Sequence, residues 1–174
     1  YLKHINERGI SWCTLSHDEK QADVLIGRVG EMSDKTYENA LADIRRDNEI
    51  VGDKIITGGQ LLQIPVRHPL SRFVANGYAL LGDSACMTIP MLGSGMASGM
   101  KAGKMLSDVI SSPIGENPFS VENLYRYQAR FMKEIGGKHA AVDMMKNWLL
   151  NSKKGDVDFL LGKGVVSRKV LIEA

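Results

Sequence analysis

The stretch YALLGDSACMTIPMLGSGM, residues 78–96, decides how the second half of the chain is interpreted. Its first four residues are apolar and follow the turn-forming pair Asn76-Gly77, which predicts a short strand that is buried on both faces. The stretch ends in Gly93-Ser94-Gly95-Met96, and a helix that begins at Ser94 or Gly95 is predicted to extend to about Ile110. A Gly-x-Gly loop at a helix start brings the backbone close to a ligand and directs unpaired N–H groups toward electron-rich atoms. The stretch therefore predicts one edge of a ligand-binding site.

An acid follows the predicted strand and supports the same interpretation. A carboxylate directly behind a buried strand has lost much of its hydration and needs donors, such as sugar hydroxyls or backbone amides. Asp83 is therefore predicted to contact a ligand, with the cap of a helix or turn as the alternative. The spacing argues against a pyrophosphate loop, because roughly ten residues separate the strand from Gly93 and the acid comes first, whereas a dinucleotide fingerprint has its glycines directly after the strand.

Three groups of residues carry a family resemblance: Gly82-Asp83-Ser84-Ala85, Ile89-Pro90 and Gly93-Ser94-Gly95-Met96. They resemble the second FAD motif of the geranylgeranyl reductase family, within the hydroxybenzoate-hydroxylase-like flavoprotein superfamily. The resemblance implies the C-terminal part of an FAD-dependent oxidoreductase, a dehydrogenase or reductase that transfers hydride through the flavin. An FAD-dependent aromatic monooxygenase and a noncatalytic lipid-binding domain are the alternatives.

The resemblance also implies which residues bind the cofactor. Asp83 would accept a hydrogen bond from a ribityl hydroxyl of FAD, and Pro90 would lie near the isoalloxazine. Backbone amides from Gly93 to Met96 would face the pyrimidine end of the ring, where a helix N-terminus stabilises the negative charge of a reduced flavin. The implied cofactor-binding residues are Gly82, Asp83, Pro90, Gly93, Ser94, Gly95 and Met96. The first FAD motif is absent from this chain, so we expect no site for the AMP half of FAD and no activity from this chain alone.

The implied substrate is an isoprenoid or another apolar small molecule. Residues 10–17 keep only the tryptophan of the family's Tyr-x-Trp-x-Phe-Pro-x-Gly pattern. Trp12 and Cys13 are the candidate substrate-binding residues, with a core position as the alternative for Trp12. Arg67 and His68 either meet an acidic substrate group or lie in a loop. No side chain is a convincing general acid or base, so we assign no catalytic residue.

The remaining pattern predicts an α+β fold. Residues 10–15 and 22–29 read as an antiparallel hairpin, and a surface helix capped by Ser33 or Asp34 extends to Arg46. Apolar residues from Lys54 to Val66 suit a strand with a bulge or a strand pair.

The last third of the chain is predicted to be helical. Ser120 caps a helix to about Ile135, Gly136-Gly137 interrupts it, and a second helix covers residues 140–150, with a weak helix or turn at residues 165–172. We divide the chain into a sheet-forming substrate region with one helix (1–75), the second FAD motif (76–112) and a helical C-terminal region (113–174).

Composition limits the remaining classes of function. The chain has 174 residues with 22 basic and 20 acidic side chains, a net charge of +2 that gives no strong field for nucleic acid. Cys13 and Cys86 are far apart, and neither they nor the four histidines have zinc-like spacing, so we predict no metal and a cytoplasmic location. Peripheral attachment to a membrane is the alternative, and no run is long enough to span one. The expected redox partner is an electron-transfer protein or a nicotinamide.

Overall fold

The structure is a computed structural model that describes residues 9–17, 20–153, 155–156, 159 and 162–163. These residues form the predicted α+β fold, with two small antiparallel sheets and four α-helices among them. The chain divides into two compact units, the first ending at Gln63 and the second beginning at Ile64. The division at residues 75 and 112 stays a prediction, and the helix or turn predicted at residues 165–172 lies outside the described residues.

The first unit contains the predicted hairpin and surface helix. Strand β1 (Gly9–Leu15) pairs antiparallel with β2 (Ala22–Arg28), in a register that sets Trp12 opposite Leu25. Helix α1 (Asp34–Asp47) begins where its cap was predicted, because the Oγ of Ser33 accepts a hydrogen bond from the amide of Thr36 at 3.2 Å. Its buried side is Ala40 and Ile44. The local patterns therefore predicted this unit well up to residue 48.

The strand or strand pair predicted between Lys54 and Val66 is wrong, since these residues form no strand. Gly58 and Gly59 both have positive φ, at +86° and +78°, which turns the chain away from the extended conformation of a strand. The apolar side chains that suggested a strand lie exposed, Ile56 at 61% and Leu62 at 82%. Hydrophobicity without a pairing partner was not enough to form a sheet here.

The second unit begins with a very short hairpin. Strand β3 (Val74–Ala75) pairs with β4 (Tyr78–Ala79) across the predicted Asn76-Gly77 turn, and Gly77 has φ of +69°. The prediction that residues 78–81 are buried on both faces is wrong, because Tyr78 is 57% exposed and Leu81 39% exposed. A ladder of two residue pairs covers only one edge of this segment. A 3-10 turn (Gly82–Ala85) follows, and helix α2 (Met96–Ser111) begins one or two residues after its predicted start at Ser94 or Gly95.

The C-terminal helices are continuous, which corrects the predicted break at Gly136-Gly137. Helix α3 (Val121–Phe131) is capped by Ser120 as predicted, passes through a π-helical turn (Met132–Gly136) and continues as α4 (Gly137–Asn151). Gly136 has helical dihedrals, and an added Cβ there would lie 2.5 Å from the Sδ of Met132. This glycine therefore permits close packing inside a helix and does not end it.

Helix α3 holds the core of the second unit together. Phe73 packs edge-to-face against Tyr127 and Phe131, with ring centroids 5.5 and 5.9 Å apart. The hydroxyl of Tyr127 donates to the carbonyl of Leu80 at 2.9 Å. The amide side chain of Gln128 donates to the carbonyl of Ser71 at 3.1 Å and accepts from the amide of Phe73 at 2.9 Å. The helix thus satisfies backbone groups that two-residue strands leave unpaired.

Gln128→Leu should lower the free energy of unfolding by about 2–4 kcal/mol, because the Phe73 amide and the Ser71 carbonyl would lose their partners. The measurement is urea unfolding of the protein. The matched control is Gln60→Leu, at an exposed position, which should change the free energy by less than about 0.5 kcal/mol. Equal effects of the two substitutions would contradict this role for Gln128.

Candidate functional site

The glycine-rich loop is closed by its own hydrogen bonds. The amide of Ile89 donates to the carbonyl of Ser94 at 2.8 Å, and the carbonyl of Ile89 accepts from the amide of Gly93 at 2.8 Å. Gly93 has φ of +71°, a conformation that favours glycine. Because the Gly93 amide is engaged inside the loop, the amides that can face a ligand begin at Ser94. Within the described part of the chain, the amides of Ser94, Gly95 and Met96 have no hydrogen-bond acceptor.

Asp83 lies beside the open start of α2. An added Cβ at Gly95 would lie 3.2 Å from the Oδ1 of Asp83 and 2.9 Å from the Cγ2 of Thr88. Gly95 is the N-cap residue of α2, and no side chain among the described residues caps this end. The structure therefore brings together a carboxylate, a glycine without space for a side chain and a row of open amides.

The surroundings of Asp83 differ from the dehydrated environment that the sequence predicted. Its side chain is exposed, so it has not lost its hydration behind a strand. It sits in the 3-10 turn, whose end is fixed by hydrogen bonds from the Cys86 amide to the Asp83 carbonyl and from the Met87 amide to the Gly82 carbonyl, both at 3.0 Å. Cys86 has φ of +55°, a left-handed conformation that the sequence did not predict. The position of Asp83, and not its burial, is what makes it a candidate ligand-binding residue.

The other residues predicted at this edge lie in different environments. Pro90 is fully buried inside the protein, whereas Met96 is 84% exposed at the start of α2. Gly82 has φ of +65° and begins the 3-10 turn. An added Cβ at Gly99 would lie 3.8 Å from the Cα of Gly82, so α2 approaches the turn closely over its first turn.

The candidate substrate residues are on β1 in the first unit. Trp12 is 43% exposed, so it does not occupy the core position that was the alternative for it. Cys13 is partly buried, and burial together with the negative charge of Asp23 raises the pKa of its thiol. Cys13 is therefore a neutral thiol that can line an apolar surface, and not an activated nucleophile.

A polar cluster that sequence reasoning missed lies next to the glycine-rich loop. The imidazole Nδ1 and the backbone amide of His68 both hydrogen-bond to the Oδ2 of Asp143 in α4, at 2.8 and 3.1 Å. The ammonium of Lys146 lies 2.7 Å from the Oδ1 of Asp143 and donates to the carbonyl of Val66. The side chains of Asp143 and Lys146 are each only 8% exposed. The i, i+3 spacing of an acid and a base on α4 was the only local signal for this cluster.

The cluster ties residues 64–68 to α4, and the same segment packs on the glycine-rich loop. Thr88 donates its hydroxyl proton to the carbonyl of Pro65. An added Cβ at Gly93 would lie 2.5 Å from the Cδ1 of Ile64 and 3.7 Å from the Cγ1 of Val66. The conformation of the loop therefore depends on a helix that is far away in sequence.

Two clefts of the second unit lie away from this edge. A cleft of about 280 Å³ lies between α2 and the end of α3, and its six lining residues include none of the predicted site residues. The second cleft lies beside β3 and β4, and Asp83 and the start of α2 do not line it either. No helix among the described residues is long and apolar enough to cross a membrane, and no group of their side chains could hold a metal ion.

The chain has an α+β fold in which Asp83 lies beside Gly95 at the uncapped start of α2. Comparisons with known proteins extend that description. No family model matches the chain. The digeranylgeranylglycerophospholipid reductase of Sulfolobus acidocaldarius is 28% identical over 120 residues, 69% of this chain and 26% of the relative. The reductase of the same name from Methanothrix thermoacetophila is 28% identical over 108 residues, 62% of this chain and 27% of the relative.

A third relative is the digeranylgeranylglycerophospholipid reductase 2 of Methanopyrus kandleri, which is 30% identical over 123 residues, 68% of this chain and 31% of the relative. The chain spans about a third or less of the length of each of these three relatives. The matches confirm the resemblance predicted from residues 78–110: the chain is similar to part of several proteins named digeranylgeranylglycerophospholipid reductase.

Gly95→Ala should destabilise the protein by about 1–3 kcal/mol, because its Cβ would press on Thr88 and Asp83. Gly103→Ala is the matched control in the same helix, since nothing lies within 4 Å of a Cβ added there. The control should stabilise the helix by up to about 1 kcal/mol. Thermal unfolding of both variants is the measurement. A Gly95→Ala protein as stable as the control would show that Thr88 and Asp83 leave space for a side chain at this position.

Asp143→Asn should cost about 2–4 kcal/mol near neutral pH, because it leaves Lys146 buried without its counter-ion. Although burial alone raises it, hydrogen bonds from Lys146 and His68 hold the pKa of Asp143 down at about 2. The stabilising effect is therefore complete above about pH 4, where an unfolded aspartate is ionised, and is lost as the pH falls through that lower value.

Urea unfolding of the wild type and the variant across this range is the measurement. The gap between them should close as the pH falls from about 4 to about 2. Glu116→Gln, at an exposed carboxylate in the loop between α2 and α3, serves as the control. A gap that stays constant across these pH values would show that the charge of Asp143 does not stabilise the fold.

Proposed function

We propose that this chain carries the ring-side part of the FAD site of an FAD-dependent oxidoreductase. The observation that carries the proposal is the position of the Asp83 carboxylate beside Gly95 at the open start of α2. A carboxylate accepts hydrogen bonds from sugar-like hydroxyls, and open amides at a helix start donate to electron-rich ring atoms. The two kinds of group are adjacent here, as a ligand with a polyhydroxyl chain joined to an electron-accepting ring requires.

The residues of this edge fit FAD in chemical type. Asp83 would bind a ribityl hydroxyl, and the amides of Ser94, Gly95 and Met96 would face the pyrimidine end of the ring. Gly95 is needed because a side chain there would collide with Thr88. Pro90 is buried, and it would stiffen the backbone of the loop that faces the flavin ring. FAD, when bound, supplies hydride transfer, and the chain's own residues bind it and orient it.

The substrate that we propose is an isoprenoid lipid or another apolar molecule. The named relatives are reductases of a digeranylgeranylglycerophospholipid, and the chain resembles them over most of its length. Trp12 and Cys13 are the residues that we propose to contact it. The exposed indole of Trp12 pairs across the hairpin with Leu25, which is 38% exposed, and the two offer an apolar surface for such a ligand.

The proposed partners follow from this chemistry. A reductase needs an electron donor, which we propose to be a nicotinamide or an electron-transfer protein. An apolar lipid substrate is found at a membrane surface, so we propose a cytoplasmic protein that attaches to the membrane peripherally.

The test uses the full-length protein that contains this chain. Asp83→Ala should weaken FAD binding by roughly tenfold or more, because it removes a charge-assisted hydrogen bond, and Asp83→Asn should show a smaller loss. Flavin absorbance after gel filtration and titration of the apoprotein with FAD are the measurements. Asp34→Asn should bind FAD like the wild type, because Asp34 is an exposed residue of α1.

The alternatives have different outcomes. A full-length protein that purifies without flavin and takes up no FAD would leave a noncatalytic lipid-binding domain. A flavoprotein that consumes nicotinamide only with oxygen and an aromatic compound would be a monooxygenase. Unchanged FAD affinity in Asp83→Ala would show that the cofactor is bound elsewhere.

A further inference from the structure

Arg67 and His68 form an exposed pair on top of the buried Asp143–Lys146 pair. The Nη2 of Arg67 lies 3.3 Å from the Nε2 of His68, and the Nε of Arg67 donates to the carbonyl of His68, also at 3.3 Å. The side chain of His68 is 53% exposed, whereas Asp143 beneath it is 8% exposed. One side of the imidazole is therefore fixed inside the protein while the other faces solvent next to a guanidinium.

Asp143 determines which imidazole nitrogen faces outward. Its carboxylate is ionised, so it can only accept hydrogen bonds, and the Nδ1 of His68 must carry a proton to donate to it. The Nε2 is then the acceptor of a hydrogen bond from Arg67 while the imidazole is neutral. When the imidazole is protonated, Nε2 and Arg67 both present donors and neither can accept from the other.

The charges around this pair leave an excess of positive charge. Lys146 and Asp143 neutralise each other in the interior, and these are the charged groups of α4 that face His68. Arg67 has no acid as a partner among the described residues, where its side chain hydrogen-bonds to His68 alone. Protonation of His68 would place a second positive charge beside it.

We propose that Arg67 and His68 form a binding site for a phosphate group. The guanidinium of Arg67 and the Nε2 of a protonated His68 would each donate to one oxygen of the same phosphate. Asp143 fixes the orientation of the imidazole through Nδ1, so that Nε2 lies on the same side as the guanidinium of Arg67. A neutral apolar ligand would gain nothing from such a pair.

The position of the site suggests what carries the phosphate. Val66 and Ile64, just before the pair, pack on Gly93 in the loop of the proposed flavin edge. A lipid with a phosphate headgroup could place that headgroup on Arg67 and His68 while its apolar chains extend elsewhere. This choice of ligand rests on the proposed function, whereas a site for free phosphate does not.

Calorimetric titration of the full-length protein at low ionic strength tests the site, with inorganic phosphate and glycerol phosphate as the probes. We expect one binding event per chain, and its affinity should fall as salt is added. Glycerol phosphate that binds more tightly than inorganic phosphate would identify a headgroup site, and equal binding would identify a phosphate site.

Two variants and two controls decide the assignment. Arg67→Gln and His68→Asn should each weaken binding by roughly tenfold or more. His68→Asn keeps an N–H donor near the Nδ1 position, so the contact with Asp143 can persist. Arg46→Gln and His17→Asn, both at exposed positions in the first unit, should bind phosphate like the wild type.

The proposal is overturned if neither probe binds, or if both variants bind as well as the controls. Flavin absorbance of each variant separates this result from the proposed function. Arg67→Gln and His68→Asn proteins that retain FAD but lose phosphate would support the site and leave the FAD assignment intact. Variants that keep both ligands would refute the phosphate site alone.

Discussion

The second unit depends on side-chain hydrogen bonds that helix α3 makes to the backbone of other segments. Its sheet has only two residue pairs, too few to satisfy the surrounding carbonyls and amides. Asn123, Tyr127 and Gln128 replace the missing ladder. The buried amide of Asn123 donates to the carbonyls of Val109 and Pro118, at 3.2 and 2.7 Å. Without one of these bonds, the buried backbone group that it pairs would be left unsatisfied, which would cost about 1–3 kcal/mol of stability.

The same bonds place the candidate site. Tyr127 binds the carbonyl of Leu80, two residues before the 3-10 turn that carries Asp83. Burial raises the pKa of the Tyr127 hydroxyl above its ordinary value, so near neutral pH it stays protonated and donates to the Leu80 carbonyl. Asn123 meanwhile holds the end of α2 and the loop that follows it. The turn with the acid and the helix with the open amides are therefore both anchored to α3, which fixes one relative to the other.

The structural features that the sequence predicted correctly are those with local causes. The caps at Ser33 and Ser120, the turn at Asn76-Gly77 and the start of α2 after Gly95 all depend on neighbours within four residues. The same is true of the residue pattern that indicated the family, since it lies within one strand, turn and helix. Short-range signals were thus sufficient for the two capped helix starts and for the turn.

The failures have causes that a local pattern does not contain. Residues 54–66 are rich in apolar side chains, yet a strand needs a partner, and in the part of the chain that the structure describes these residues pair with no strand. Gly136 reads as a helix breaker, but its lack of a side chain leaves space for Met132. The contact between His68 and Asp143 joins residues 75 positions apart, so no spacing rule could have paired them.

The buried ion pair of Asp143 and Lys146 is best explained by what it positions. Burying two charges costs several kcal/mol, and a well-packed apolar pair is often as stable or more so. Stability alone therefore does not account for it. The pair holds the carbonyl of Val66 and the ring and amide of His68, and this segment in turn packs on the loop of Gly93. An apolar pair could fill the same volume, but it could not orient an imidazole at the surface.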